Sequence, residues 1–404
     1  MASPLYGQTL SLQDCIQKAL RSHPDIKRFI QQVRSNQKEI DITRADYLPQ
    51  ISIDAEYDLT RTYIFPGNGI FNTKESDGWQ AGVTFKQKIW DFARTSSLVN
   101  AQEVQQGIAE LSLQDARALL AYKVKLQYEL VLVQQKAIDV RKHDFQTKEA
   151  LYKQAKALVD QGLKTRADAS RFLSSTSIAQ DNLAIAESNF SKALMMLSLY
   201  IGEPVSQDTI FEKNSINTEV YSIDEKVVLK ESPVLQGLEG KIKQNEYLYQ
   251  ATRASRYGSI DAIASYSHLD TLNAYDATVV GVMLSIPLYT GGRLSAQEEK
   301  AFIDKQNAEN EYKSKVLELK QDYRTLLYDL KRLQHTIKAK SNQYSSAQQT
   351  ADVMKGRYRE GLATYIEVLD AVAVMSDAEL GLLQATYDRS STIHRLEYLQ
   401  GKTK

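Results

Sequence analysis

The chain of 404 residues is poor in everything that cross-links or interrupts a backbone. Cys15 is its only cysteine, which excludes an intrachain disulfide and a thiolate metal cluster. Seven prolines and 18 glycines are few for this length, so regular structure can run far between breaks. An excess of charge of one sign is missing too. With 50 basic and 50 acidic residues the formal net charge is zero, and nothing global points to nucleic acid or to an anionic lipid surface. No stretch reaches the roughly 18 to 20 apolar residues of a membrane-spanning helix. That excludes helical insertion but leaves a β-barrel open, because alternating strands barely raise mean hydropathy.

Chemistry-bearing constellations are equally scarce. The five histidines, His23, His143, His268, His335 and His394, are scattered without metal-ligand spacing. "YTGGR" (Tyr289 to Arg293) places two glycines before a helix but lacks the Lys-Ser/Thr end of a phosphate loop, so it reads as a strand-to-helix turn. No nucleophile–base set is visible. The expectation is a protein that is not an enzyme, with no cofactor and no resident metal. The start, "MASPLYGQTL", has no basic-then-apolar secretion signal, which fits either a cytosolic protein or a mature form with a replaced start. "LQDC" (Leu12 to Cys15) lacks the apolar stretch of a lipoprotein cleavage site; Cys15 is expected on the apolar side of a helix with Leu12, Ile16 and Leu20.

What the chain has in quantity is Gln, Ala, Leu, Lys and Glu, the composition of long helices. It also has an internal repeat. "LRSHPDIKRF" resembles "LKESPVLQGL", with Pro24 on Pro233, a separation of 209. The same register sets Arg44 on Arg253, Ile51 on Ile260 and Tyr57 on Tyr266. The separation then shortens to 199, which sets Gly82 on Gly281, Arg94 on Arg293, Gly162 on Gly361 and Gly202 on Gly401. The ten residues lost fall within "RTYIFPGNGIFNTKESDG", which is therefore expected to be a surface loop.

The first repeat, 1–209, reads as a helix over 11–45, strands over about 49–60 and 78–90, and helices over about 94–160 and 165–201. The second, 210–404, reads as a helix over about 223–253, strands over about 258–269 and 277–289, and helices over about 293–358 and 363–401. The strands rest on period two. Ile51, Ile53, Ala55, Tyr57 and Leu59 alternate with Ser52, Asp54, Glu56, Asp58 and Thr60, and Trp79, Ala81, Val83 and Phe85 oppose Gln80, Thr84, Lys86 and Lys88. The long helix carries Val104, Ile108, Leu111, Leu119, Tyr122, Leu126, Leu130 and Val133 at coiled-coil intervals, a candidate seam. At 1.5 Å per residue it runs ~97 Å, against ~56 Å for the helix that returns beside it. One long helix should then pair with two shorter ones end to end: the helix over 165–201 with that over 223–253, and the N-terminal helix with the C-terminal one. Aromatics (Tyr57, Tyr63, Phe65, Phe71, Trp79, Phe85, Trp90, Tyr257, Tyr266, Tyr275, Tyr289) cluster around the strands, as a membrane-interface belt would and as strands in general favour.

Four strands with one apolar face pose a closure problem. A transmembrane barrel needs at least about eight strands with no edge left in lipid. Two chains supply eight and three supply twelve. The alternative is a soluble coiled-coil scaffold or tether without a conduit, which would have no use for alternating strands with charged inner faces. A coiled-coil adaptor would need a lipoyl-like or small barrel domain, and none is visible.

"LSLQDCIQKALRSHPDI" at the start, "LPQISI" entering the first strand, "IPLYTGGR" leaving the last and "YREGLATYIEVLDA" at the second helix break together resemble the TolC-like outer-membrane efflux proteins over essentially the whole chain. The resemblance implies an α+β membrane protein: a homotrimer whose three sets of four strands close a 12-stranded β-barrel in outer-membrane lipid, and whose duplicated, antiparallel coiled-coil helices continue it as a periplasmic tunnel. It implies a Gram-negative outer-membrane location, a signal peptide removed from the mature chain, and a passive exit duct for tripartite efflux or type I secretion. The partners implied are a periplasmic adaptor and an inner-membrane RND or ABC pump. The adaptor would grip the hairpin tips, here Gln161, Gly162 and Leu163, and Glu360, Gly361 and Leu362. Glu367 and Asp370, one helical turn apart, match the acidic positions that line the tunnel entrance and would form two threefold rings able to bind a blocking cation. Asp168 and Tyr358 match a gate contact. Ala363 departs from the pattern, standing where the best-known members carry a latching arginine; Arg166 or Lys164 is the expected substitute.

Overall fold

Two prolines divide the helices that lead to the sheet. Proline has no N–H to donate and pushes the residue before it into extended backbone. His23 (φ −63°, ψ 128°) accordingly ends α1 (Leu12–Ser22), and Pro24 opens α2 (Pro24–Arg44). Ser232 (φ −60°, ψ 114°) likewise separates α5 (Glu225–Glu231) from α6 (Pro233–Ala254). The single helices expected over 11–45 and 223–253 are therefore each two. The computed structural model describes residues 9–67, 70–212, 224–270 and 273–403, apart from the side chains of 65–71.

The remaining elements are β1 (Thr9–Leu10), a 3-10 turn (Ala45–Tyr47), β2 (Gln50–Gly67), β3 (Ile70–Trp90), α3 (Arg94–Asp160), α4 (Arg166–Ile201), β4 (Ile210–Phe211), β5 (Ser259–Asp270), β6 (Ala274–Ser285), α7 (Arg293–Arg359) and α8 (Tyr365–Leu399). The helices α3 and α7 are 67 residues each, ~100 Å. Among the described residues no helix is long and apolar enough to cross a membrane, and no group of histidine, cysteine or acidic side chains is placed to hold a metal.

The chain divides into two compact units that each draw on both halves of the sequence. One comprises Met1–Phe29, Leu113–Pro233 and Val316–Lys404, and its described residues are almost wholly helical. Its helices join end to end, but not as their lengths suggested. Ser22 Oγ donates to the last carbonyl of α4, Ile201 O, at 2.9 Å, and Lys18 pairs with Glu203 at 2.6 Å. Thus α4 abuts α1, its own repeat partner. Gly401, just past α8, lies so near Pro233 that an added Cβ would sit 2.6 Å from the ring. Length could not separate the two pairings, because both halves have nearly equal helices. In the same unit β1 pairs in parallel with β4, and the buried Tyr128 hydroxyl lies 2.9 Å from Leu10 O and 2.8 Å from Glu212 O.

The seam of α3 also differs from the expected one. The buried stripe is Ala118, Ala121, Val124, Tyr128 and Val131, while Leu119, Tyr122, Leu126, Leu130 and Val133 stand half-buried beside it. A count of large apolar residues passes over Ala118 and Ala121, and Val124, Tyr128 and Val131 each lie two residues before an expected position.

The second unit comprises Ile30–Ser112 and Val234–Lys315 and holds the sheet. Its four strands are antiparallel in the order β2-β3-β5-β6. Ladder partners share a face, so Ile51/Phe85, Ile53/Val83 and Tyr57/Trp79 lie on one side and Asp54/Gly82 and Glu56/Gln80 on the other. The apolar side is bare: Ile53 is 79% exposed and Val280 80%. The stretch expected to be a loop is mostly strand. The ladder of β2 and β3 continues past a one-residue register shift between Asp58 and Arg61 up to Gly67↔Ile70. Thr62, Tyr63 and Ile64 keep extended backbone there because Glu75, Lys74 and Thr73 pair with them. The other strands end near their expected limits, with β6 stopping at Ser285, before Pro287.

Candidate functional site

The site candidates lie at the turns of the two helix hairpins, within the helical unit. The long helices stop in the same way. Gly162 and Gly361 both have φ +76°, a left-handed conformation that costs other residues about 1 kcal/mol. The amide of Gly162 donates to Val159 O at 2.9 Å and that of Leu163 to Leu158 O at 2.9 Å. Gly361 to Tyr358 O (3.1 Å) and Leu362 to Arg357 O (2.8 Å) repeat the pattern. These are Schellman turns, in which the residue after the glycine commonly packs back on its helix. Here it does not. Leu163 is 66% exposed and Leu362 63%, flanked by the exposed Gln161 and Glu360.

The returning helices also start alike. Thr165 and Asp168 form a capping box on α4, Thr364 and Glu367 another on α8. Glu367 Oε2 accepts from Thr364 N at 2.6 Å and from Thr364 Oγ1 at 2.9 Å. The backbone amide and then the hydroxyl of Thr364 hold its carboxyl below the usual range. Glu367 thus secures the helix start, while Asp370 stands exposed one turn on.

Between the hairpins lies an apolar core centred on Phe172 of α4, 0% exposed, with Tyr358 of α7, 2% exposed. Their ring centroids are 5.6 Å apart, and Tyr365 of α8 meets the same phenylalanine edge-on at 6.1 Å. The Tyr358 hydroxyl is buried without a hydrogen-bond partner among the described residues. Burial, and then the charge of Asp168, push its pKa up. No hydrogen bond joins Tyr358 to Asp168, whose carboxylate accepts from Thr165 N (3.1 Å) and Thr165 Oγ1 (2.9 Å) instead.

Ala363 is buried in this core. Of its expected substitutes, Arg166 is exposed and has no ion pair among the described residues, and Lys164 places its Nζ 5.9 Å from the centroid of the Tyr358 ring. The link that sequence reasoning missed is Arg171 with Tyr365. The guanidinium donates to the Tyr365 hydroxyl and lies 5.1 Å from the ring centroid. A signal existed in the repeat: at a separation of 199, Arg171 is the counterpart of Asp370 and Tyr365 that of Arg166. The charge changes sign at one of these positions and disappears at the other.

The family model for outer membrane efflux proteins matches residues 15–203 and 226–402. The chain is 25% identical to the outer membrane protein TolC of Escherichia coli (strain K12) over 95% of its own length and 80% of that protein's. It is 21% identical to the alkaline protease secretion protein AprF of Pseudomonas aeruginosa, over 97% and 84%. Among solved structures, CusC superposes with a TM-score of 0.85 at 17% identity, covering 98% of this chain and 93% of that one. The chain belongs to the outer membrane efflux protein family and is an outer-membrane protein.

Proposed function

We propose that the chain is the passive exit duct of a tripartite efflux or type I secretion system. Three copies would close a 12-stranded barrel in the outer membrane and continue it as a helical tunnel towards a periplasmic adaptor and an inner-membrane pump. The observation that carries this reading is the four-stranded sheet itself, with a bare apolar face and two outer strands, β2 and β6, each paired on one side only. An apolar face and open edges of this kind are tolerated in lipid only when a barrel closes. Aromatic placement supports a membrane-spanning band. Trp79 and Trp90 lie eleven residues apart on β3, ~37 Å along the strand. At the ~45° tilt of such strands this is ~26 Å, close to the height of an outer-membrane apolar band. The relative named for protease secretion supports an outward cargo that includes proteins, and the TolC relative an outer-membrane duct.

The hairpin ends are the gate in this reading. Exposed Leu163 and Leu362 offer apolar tips to an adaptor, and Glu367 and Asp370, repeated by threefold symmetry, make the mouth cation-selective. Nothing in the proposed function calls for a catalytic group, and cargo moves on energy supplied elsewhere.

The test is single-channel conductance of the purified oligomer in a planar bilayer, with and without lanthanum ions on the hairpin side. A small, cation-selective conductance that lanthanum blocks is expected. A stable monomer that stays soluble without detergent would overturn the duct and favour a scaffold.

A further inference from the structure

We propose that Arg171 and Tyr365 form the latch that holds the two hairpins of one protomer closed at the mouth. This rests on the gate reading above and names the residues that would do its work in a chain where position 363 is a buried alanine.

The helices α4 and α8 both begin at the tips, so a wider mouth requires their first turns to part or slide. Two kinds of contact oppose this. Phe172 is sunk in the core between Tyr358 and Tyr365 and contributes to folding as a whole. Arg171, the neighbouring residue, is exposed and reaches across to the first residue of α8. Its guanidinium satisfies the phenol hydroxyl and lies near the ring, 5.1 Å from the centroid, two interactions that a planar, permanently charged group can make at once. The Tyr365 ring also packs edge-on against Phe172, with centroids 6.1 Å apart, a second contact that limits how the ring can turn. A buried aromatic plug that stays packed, and a solvated polar contact beside it that can break, is the arrangement a reversible closure needs.

Other charged side chains nearby are already engaged or lie elsewhere. Asp168 and Glu367 serve their capping boxes, Lys164 lies over Tyr358, and Arg357 donates to Leu362 O at 3.3 Å. Arg166 is exposed and has no ion pair among the described residues. Lys164 over Tyr358 also crosses between the hairpins, but among the described residues Arg171 with Tyr365 is the side-chain hydrogen bond that joins α4 to α8 near the tips.

The experiment is planar-bilayer recording of the intact oligomer for Arg171→Gln, Arg171→Lys, Tyr365→Phe and the double variant Arg171→Gln/Tyr365→Phe. Heat dissociation of the oligomer is followed in parallel. Arg171→Gln should raise the open fraction about five- to ten-fold. Tyr365→Phe keeps the ring and loses the hydroxyl, and should fall between wild type and Arg171→Gln. Arg171→Lys should recover part of the closure, and the double variant should open no further than Arg171→Gln alone. Heat dissociation should hardly change, whereas a contact that only supported the fold would move dissociation and leave the open fraction alone. Unchanged open fractions with lanthanum block retained would overturn the latch and leave the gate standing. Open fractions and block that ignore both these variants and Glu367→Gln/Asp370→Asn would overturn the gate itself. Should Arg171→Gln fail to assemble, Arg171→Lys and Tyr365→Phe decide the question.

Discussion

Lys125 of α3 and Glu397 of α8 meet inside the helical unit, Nζ to Oε2 at 2.7 Å, with His394 Nδ1 3.2 Å from the same carboxylate oxygen. Burial alone would raise the Glu397 pKa; the hydrogen bonds from His394 and Lys125 outweigh it and hold the carboxyl at about 2. An unfolded glutamate titrates near ~4.3. The ionised form is therefore favoured by folding, and its stabilisation is present above that value and lost as pH falls from ~4.3 towards 2. Lys125→Met should destabilise by about 3 kcal/mol, because it leaves a buried carboxylate short of one of its partners. Lys125→Met with Glu397→Leu should recover most of the loss. Chemical denaturation followed by circular dichroism checks both, and equal losses in the single and double variants would show that a stranded Glu397 carboxylate is not what destabilises Lys125→Met.

Tyr358→Phe should leave the protein as stable as before or up to about 1 kcal/mol more stable. The hydroxyl is buried without a partner, so its removal relieves a desolvation cost while the ring keeps Phe172. If instead Tyr358 closed the gate through Asp168, the phenylalanine variant would raise conductance, and bilayer recording separates the two.

Much of this molecule could be read from residue order, and the failures have physical causes. The hairpin tips were legible because Gly162 and Gly361 are the residues a left-handed helix end selects, and the repeat marks both. The sheet's two faces were legible from strict alternation in β2. The reach of β2 and β3 past Asp58 was not, because a register shift reverses the alternation there. The buried stripe of α3 was only partly legible, because Ala118 and Ala121 carry no strong apolar signal and Val124, Tyr128 and Val131 stand two residues before the side chains that the spacing selects. At the candidate site the capping boxes mark the helix starts by spacing alone. Arg171 and Tyr365 escaped because they are nearly 200 residues apart and belong to no local pattern; only packing around Phe172 brings them together.

The turn from β3 into α3 carries Phe92 (φ 55°) and Ala93 (φ 68°), both in the left-handed region, where the second repeat uses Gly291 and Gly292. Asp91 holds the helix start by accepting from Thr95 N at 2.8 Å. Ala93→Gly should stabilise by about 0.5 to 1 kcal/mol, the steric relief exceeding the extra freedom glycine gives the unfolded chain. Phe92→Gly should not, because Phe92 packs on Tyr257 with centroids 5.3 Å apart. A rise in denaturation midpoint for the first variant and a fall for the second is the expected pair of results.

Leu163→Asp with Leu362→Asp should change stability by less than about 0.5 kcal/mol, since both side chains are exposed and neither sits in the apolar core. Conductance of the isolated oligomer should also persist. Loss should appear only with partners present, as failed export in cells that depend on this duct and supply its adaptor and pump. Normal export would remove the two leucines from the adaptor surface.

Glu367 and Asp370 separate by what a neutral substitution does to each. Glu367 carries a cap as well as a charge, and Thr364 keeps it ionised to lower pH than an ordinary glutamate. Glu367→Gln keeps a side-chain acceptor for Thr364 and removes the charge, so the start of α8 should lose less than about 1 kcal/mol. Asp370 has no cap to lose, and Asp370→Asn should be neutral for stability. Both together remove two charges per protomer at the mouth. Lanthanum block in a planar bilayer should then weaken at least ten-fold and cation selectivity should fall, with oligomer stability nearly unchanged. Undiminished block in the double variant would mean that the cation binds elsewhere in the duct.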